Sequence, residues 1–491
     1  MNKLFVSCFL IIIIIGTIAF FTIGTVNNDE KFSEKLNGTF PEIKSSDRIL
    51  IFAPHPDDDI LANSGLIMEA LRKNADIKVV FMTVGDGLDK DYLNWYLTTN
   101  NITDFKGNIG DIRHTEALTA LSKLGLNESN AIFLGYPDQG IKSLFLNNWD
   151  YNNLLKKTSG SNQNDHSPYN FSFEKNAPYC GANVVKNLNQ IFDDFNPNIL
   201  FMPDDGDDHP DHWATNAFTR YVITERGYNG SHYHYLVHKG GWPNPEIYSP
   251  RDQLLPPKEI FVLDATWLRL ILYDTDIKTK LEAIESHKTQ TLATKNYLLS
   301  FVRIDEFFAT YPVIKVQEKE IYSLDDGMPD SKFNDLKGEF IKNTEFNQKY
   351  DKRPTIEFNY MHDKKNINKT RIYDDIDSVG LVKDEQNLYA VINSPNFNEN
   401  FNYIFYMYLY DGNSYRKLDI NVTNNTANYL YRSSDSIVSS QKLEVKNKDQ
   451  LTSVKIPLSI INNTQTILMT VDERNARNQN LENTPLRVFQ L

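Results

Sequence analysis

The chain has 491 residues, 41% of them hydrophobic and 23% charged, with a formal net charge of −13. That length supports two or three domains with cores of their own, and the ordinary composition argues against a disordered chain. The acidic balance without a basic stripe excludes a nucleic-acid binder, and the two cysteines, Cys8 and Cys180, exclude a cysteine-based zinc site and argue against an internal disulfide.

In chain order, Lys3 precedes a nearly unbroken apolar run from Leu4 to Val26, with Asp29 and Glu30 after it. About 20 apolar residues span a bilayer as a helix. No clean small-residue cleavage site follows, so 1–27 reads as an uncleaved signal anchor and transmembrane helix, with a cleaved signal peptide as the alternative. The charge asymmetry around the run expects a membrane-anchored protein with an extracytoplasmic domain, secreted if the segment is cleaved. Asn-x-Ser/Thr sites such as Asn37, Asn101, Asn229 and Asn421 lend this weak support. Residues 28–47 read as a polar stalk.

From Arg48 the pattern turns to alternating strands and helices. Arg48–Ala53 is a short strand, and Ile60–Lys73 an amphipathic helix with Leu61, Leu66, Ile67, Ala70 and Leu71 on one face. Ile77–Val84 is a second strand. Ile112–Leu124 is a helix with Asp111 as N-cap and Gly125 as C-cap. Ala131–Leu134 and Asn198–Met202 follow as strands, separated by a helix over Val184–Phe195, and another helix covers Trp213–Glu225. Further strands are expected at Tyr233–His238 and Glu259–Leu263, then a helix over Ile277–Lys288. This order implies βαβ units and a mostly parallel sheet flanked by helices over 48–311. Residues 312–354 read as a linker. From 355 to 491, short strands such as Leu388–Ile392, Tyr403–Tyr410, Leu418–Val422, Val454–Leu458 and Ile467–Val471 suggest a C-terminal all-β, sandwich-like domain.

Ligands of an open parallel sheet lie beyond the carboxyl ends of its strands. The chemistry is therefore expected just after Ala53, Val84, Leu134 and Met202. Directly after the first strand stands Pro54-His55-Pro56-Asp57-Asp58-Asp59, and after the fourth comes a run ending in His209-Pro210-Asp211-His212. Imidazoles and carboxylates form a donor set suited to zinc. A catalytic zinc takes three protein ligands and keeps a position for water, and a further carboxylate and histidine can move the protons.

His55-Pro-Asp-Asp58 after a strand, with His209-Pro-Asp-His212 far downstream, resembles the PIG-L/LmbE-like zinc-dependent deacetylases. The resemblance covers roughly 48–310. It implies a Rossmann-like α/β domain, Zn2+ as cofactor, and hydrolytic removal of an N-acetyl group from a GlcNAc-type sugar, glycan or glycolipid. Carried over residue by residue, His55, Asp58 and His212 match the zinc ligands, Asp57 the general base, and His209 the group that stabilises the oxyanion and assists the leaving amine. Asp211 matches a residue that orients a neighbouring histidine. Asp86 in Gly85-Asp86-Gly87, Arg113 and His238 are candidate substrate contacts, and Arg113 and Glu116 with Ala117 resemble the family's Arg-x-x-Glu helix. Gly135-Tyr-Pro-Asp138, the stretch Lys280, Ala283, His287 and Gln290, and Glu306-Phe307 resemble further family elements. The chain departs from the family at Asp59, where the family pattern has glutamate.

Plainer readings stand beside these. Either His-Pro-Asp motif alone could be a capped helix start. The acidic cluster Asp204, Asp205, Asp207 and Asp208 could be a solvated loop or a calcium site. His114, His232, His234 and His238 read as surface or strand residues, with His234 or His238 as a possible pocket lining. Arg113 could form a helix ion pair with Glu116. Tyr403, Tyr406, Tyr408 and Tyr410 could stack sugars or simply pack. Two rival functions remain open: an amidase on a larger acyl or amide substrate, and a catalytically silent glycan-binding surface protein.

Overall fold

The computed structural model describes residues 38–87, 90–101, 108–159, 162–257, 265–318, 341–342, 376, 378–393, 402–423, 426–433, 436–448, 451–474 and 480–491. The strands of the first unit are β1 (Gly38–Thr39), β2 (Arg48–Ala53), β3 (Asp76–Thr83), β4 (Ala131–Tyr136), a small hairpin of β5 (Lys157–Ser159) and β6 (Asn162–Asn164), β7 (Ile199–Pro203), β8 (Ser231–Tyr235), β9 (Thr266–Ile271) and β10 (Asp305–Thr310). Its helices are α1 (Asp58–Arg72), α2 (Lys90–Thr99), α3 (Ile109–Leu124), α4 (Ile141–Leu146), α5 (Gly181–Phe195), α6 (Pro210–Glu225), α7 (Asp274–Ile284) and α8 (Lys288–Leu299).

The main sheet has the order β1-β9-β10-β8-β7-β2-β3-β4. Its centre, β8-β7-β2-β3-β4, is parallel. β2 and β3 are apolar over nearly their whole length because helices cover both faces. β10 runs antiparallel to both β8 and β9, while β1 is parallel to β9. The expected mostly parallel sheet is thus corrected to a mixed one. The helices α7 and α8 return the chain from β9 to β10 in the opposite sense, so this side of the sheet is not built from βαβ units. Gly38–Thr39 extends the edge, and Phe40 and Ile43 just after it are buried.

The apolar segment 1–27 and the expected strand at Glu259–Leu263 lie outside the described residues. Among the described residues no helix is long and apolar enough to cross a membrane. The transmembrane helix in the expected fold class, and the membrane-anchored, extracytoplasmic placement drawn from it, are corrected accordingly: the longest described helices, α3 and α6, have 16 residues each and carry charged and polar side chains along their length.

Helix α3 begins one turn before its expected start. Asn108, not Asp111, is the N-cap, and its side chain accepts from the backbone N–H of Gly110 and Asp111. Asp111 closes the box by accepting from the N–H of Asn108. The helix ends at Gly125 as expected, with a left-handed φ of 97°.

The C-terminal strands form one continuous path that folds over a common apolar core. Ser436–Lys448 pairs with Thr426–Ser433 along one part and with Leu451–Pro457 along the other, carrying the chain from one half to the other. The strand Asn402–Tyr410 is buried on both faces. Tyr403, Phe405, Met407 and Leu409 enter the β core. Tyr406 and Tyr408 point the other way and join the core of the α/β unit beside Phe145, Trp213, Phe218 and Tyr221. Tyr408 donates to the carbonyl of Phe145, and Tyr410 to that of Glu225. These tyrosines are packing and interface groups.

Two of the family-like elements prove to be structural. Lys280 of α7 and Glu306 of β10 form a buried ion pair at 2.8 Å. Glu306 also accepts from the N–H groups of Gly65 and Leu66, so it ties the strand to the middle of α1. Glu116 accepts from the N–H and hydroxyl of Thr289, locking α3 to α8. A buried pair broken on one side leaves an uncompensated charge. The substitution Lys280→Met is therefore expected to cost about 3–5 kcal/mol, read as a lower denaturation midpoint. An unchanged midpoint would show that the backbone donors of Gly65 and Leu66 suffice for Glu306.

Candidate active site

The site forms where the loops after β2, β3, β4, β7 and β8 converge. The strand order reverses around β2, which has β3 on one side and β7 on the other, and a crevice at such a switch point is the expected ligand position. β2 delivers His55, Asp57 and Asp58, with Asp58 already the first residue of α1. β7 delivers Asp207 and His209. His209 is the N-cap of α6, Pro210 opens the helix, and Asp211 and His212 lie in its first turn. The capped-helix reading of this motif is thus correct, and it coexists with the site: the cap is what aims three side chains into the crevice.

Asp58 stands at the centre. Its Oδ2 lies 3.1 Å from His55 Nδ1 and 3.0 Å from His212 Nε2, and His238 Nε2 lies 3.9 Å from its Oδ1. His55, Asp58, His212 and His238 each offer a ligand atom, all within 4.8 Å of one another. Both ring nitrogens of His212 are buried without an aligned hydrogen-bond partner, although Asp207 Oδ2 lies 3.0 Å from Nδ1. Zinc ligands at about 2.0–2.2 Å from the ion stand roughly 3.4 Å apart in a tetrahedron. The donor types, spacing and orphaned nitrogens therefore fit a divalent ion of zinc's preferences.

The electrostatics point the same way. Burial pushes the His55 imidazole towards neutrality, but Asp138, Asp211 and Asp58 outweigh it and hold its pKa well above the ordinary value. For His212, burial is likewise outweighed by Asp207 and Asp58, which raise its pKa to about 9. For Asp58, burial opposes ionisation, yet His212 and His55 hold its pKa well below the usual carboxylate range. The nest of carboxylates around these imidazoles is thus an environment that draws positive charge. His209 differs: burial, then the neighbouring His55, His238 and His212, hold its pKa far below the ordinary value, so it is neutral. Its Nδ1 accepts from the N–H of Asp211 at 3.1 Å, which leaves the proton on Nε2.

Asp57 has a backbone φ of 138°, a strained conformation for a residue with a side chain. Arg113 holds this loop. Its Nη2 donates to Asp57 Oδ1 at 3.2 Å and to the Pro56 carbonyl at 2.9 Å, and its Nη1 donates to the Gly85 carbonyl at 3.0 Å. Gly85 adopts a φ of 65°, and a Cβ there would stand 2.2 Å from Arg113 Nη1. Arg113 is consequently buried beneath the crevice and bonded to the loop rather than to Glu116. Asp211 accepts from the N–H groups of Gln139 and Ile141, and its Oδ2 lies 3.3 Å from His55 Nε2. Asp86 is buried and accepts from the Tyr169 hydroxyl. Tyr169 thereby packs the stretch after α4 onto the ends of β3 and β4.

The structure brings together His55, Asp57, Asp58, His209, Asp211 and His212, with His238 at the edge. Sequence reasoning assigned no role to Asp138, whose Oδ1 is 3.3 Å from His55 Nε2, nor to Asp207 against His212. Position offered a signal for each: Asp138 directly follows a strand, and Asp207 lies in the loop before α6. The cluster around Asp207 is not a solvated loop. Asp204, Asp205 and Asp207 are buried. Asp59 is buried as well, with neither oxygen in an aligned hydrogen bond.

Three comparisons bear on this site. The family model described as "PIG-L: GlcNAc-PI de-N-acetylase" matches residues 50–223. A 1D-myo-inositol 2-acetamido-2-deoxy-alpha-D-glucopyranoside deacetylase from Mycobacterium sp. (strain KMS) is 24% identical over 261 residues, covering 51% of this chain and 76% of that protein. Among solved structures, a deacetylase of the teicoplanin biosynthesis pathway matches with 17% identity and a TM-score of 0.35, covering 53% of this chain and 96% of the other. N,N'-diacetylchitobiose deacetylase from Pyrococcus horikoshii matches with 18% identity and a TM-score of 0.32, covering 57% and 92%. The mycobacterial relative is named as a deacetylase, and the class supported for this chain is a hydrolase of that kind. What the comparisons identify is thus a stretch, residues 50–223, that matches the PIG-L family.

Proposed function

We propose that this chain is a zinc-dependent N-deacetylase that releases acetate from a GlcNAc-type amino sugar. The observation that carries the reading is the convergence of His55, Asp58 and His212 on one buried point, with Asp57 and His209 beside it. The mycobacterial relative is named for an acetamido-glucopyranoside, which supports this substrate class.

His55, Asp58 and His212 would hold the ion. Zinc bound there supplies a Lewis acid for the amide carbonyl and makes a water acidic enough to attack near neutral pH. Asp57 takes a proton from the attacking water as its oxygen adds to the acetyl carbon. Arg113, clamping Asp57 Oδ1 and the loop carbonyls, keeps that carboxylate in place. His209 donates from Nε2 to the oxygen that gains negative charge. The C–N bond then breaks as the proton taken up by Asp57 passes to the leaving nitrogen, and acetate and the free amine depart. Asp211, bonded to the backbone after β4, holds His55 in orientation.

The test is acetate release by the full chain from GlcNAc oligomers and N-acetylglucosaminyl-inositol. Asp57→Asn is expected to lower kcat by about 10²–10⁴-fold, the range of a general base, while metal content stays unchanged. Wild-type turnover in that variant removes Asp57 from the mechanism. Chelation is expected to abolish release and zinc to restore it, whereas His212→Ala should neither retain the ion nor respond to added zinc. Release that continues after the metal is stripped refutes the metal-dependent reading.

A further inference from the structure

The C-terminal β unit reaches the candidate metal site from both sides of His212. On one side lies the loop Asp204–Asp208, in which Asp204, Asp205 and Asp207 are buried. Asp207 of this loop is 3.0 Å from His212 Nδ1. Asp205, two residues earlier, pairs with Arg220 of α6 at 3.2 Å and with Arg487 of the C-terminal unit. Tyr311 donates to Asp204 Oδ2 at 2.7 Å, and the Arg487 guanidinium lies 5.3 Å from the centre of its ring. On the other side, Trp213 follows His212 directly and donates from Nε1 to the Thr484 carbonyl at 3.0 Å. Thr484 is itself fixed: its carbonyl accepts from Thr470, and its hydroxyl from the N–H of Val471.

Asp204, Asp205, Asp207, His212, Trp213, Thr484 and Arg487 are all buried. A buried guanidinium cannot leave its carboxylate without stranding a charge, so the Arg487 contact fixes the loop far more firmly than an exposed pair would. The α/β unit alone therefore does not supply all of the groups that hold Asp207 and His212.

We propose that the C-terminal β unit is part of the scaffold of the metal centre, with Arg487 and Thr484 as its positioning residues. Arg487 sets Asp205 and thereby Asp207 against His212, and Thr484 anchors Trp213 and thereby the first turn of α6. The proposal rests on the reading of His212 as a metal ligand. Groups that orient a ligand in this way are commonly worth about 10–100-fold in metal affinity.

The experiment uses the full chain loaded with cobalt(II), reading the visible absorption band, the cobalt dissociation constant and the thermal midpoint together. Arg487→Met is expected to weaken cobalt binding about 10-fold or more and to shift the band, with partial recovery in Arg487→Lys. Trp213→Phe keeps the ring and loses only the bond to Thr484; it is expected to shift the band even if Arg487→Met fails to fold. Tyr410→Phe removes a tether of the same interface to the far end of α6, and should leave affinity and band at wild-type values. Wild-type affinity and band in both Arg487→Met and Trp213→Phe overturn the proposal. So does an equal loss in Tyr410→Phe, which would mark a general effect of the interface. A wild-type chain that binds no cobalt overturns the metal-site reading and this proposal together, whereas failure confined to the variants overturns only the coupling.

Discussion

Asp58 sits between two imidazoles at the carboxyl end of the parallel part of the sheet, and the rest of the site is arranged around that contact. A carboxylate so deeply buried keeps its charge only if positive charge stands beside it. His55 and His212 supply that charge, and each is flanked on its far side by further carboxylates: Asp138 and Asp211 for His55, Asp207 for His212. The alternation of acid and imidazole is costly to bury and has no packing advantage over apolar side chains. Its retention at a strand-end crevice is what a cation site requires.

The second constraint is positional. Asp57 is carried in a strained backbone conformation, and its side chain makes no capping bond to the helix that it opens. Arg113 compensates by bonding both to its carboxylate and to two loop carbonyls. The small residue at Gly85 is needed because the guanidinium occupies the space that a side chain there would fill. Asp57, its clamp and the glycine thus form one unit drawn from the ends of β2 and β3 and the body of α3. The Lys280–Glu306 pair plays the corresponding part for α1, whose first turn carries Asp58.

The aromatic layer between the two units explains a feature of the C-terminal sequence. A strand with one wet face alternates apolar and polar residues, whereas one covered on both sides does not. Tyr403–Tyr410 has no polar face because its odd positions fill the β core and its even positions pack on α4 and α6. Phe145, Trp149, Trp213, Tyr221 and Tyr408 meet there, largely edge to face. The helix that bears His212 is therefore sandwiched between the main sheet and the second unit.

By itself, the sequence determined the local events. A strand followed by His55-Pro-Asp-Asp58, and another followed by His209-Pro-Asp-His212, placed the donors at the carboxyl ends of strands, because side-chain period and turn chemistry are short-range properties. Gly125 marked a helix end for the same reason. The donor types there, imidazole and carboxylate, were legible as a set suited to zinc. What only the tertiary structure decided were the pairings across long separations: Asp138 with His55, Asp207 with His212, Arg113 with Asp57, Lys280 with Glu306, and Arg487 with Asp205. Each depends on strand order and on which loops meet at the switch point, and periodicity carries no information about either. The antiparallel placement of β10 was hidden likewise, since a strand's own residues do not record the direction of its neighbour. Buried charges find their partners only once the sheet has closed around them.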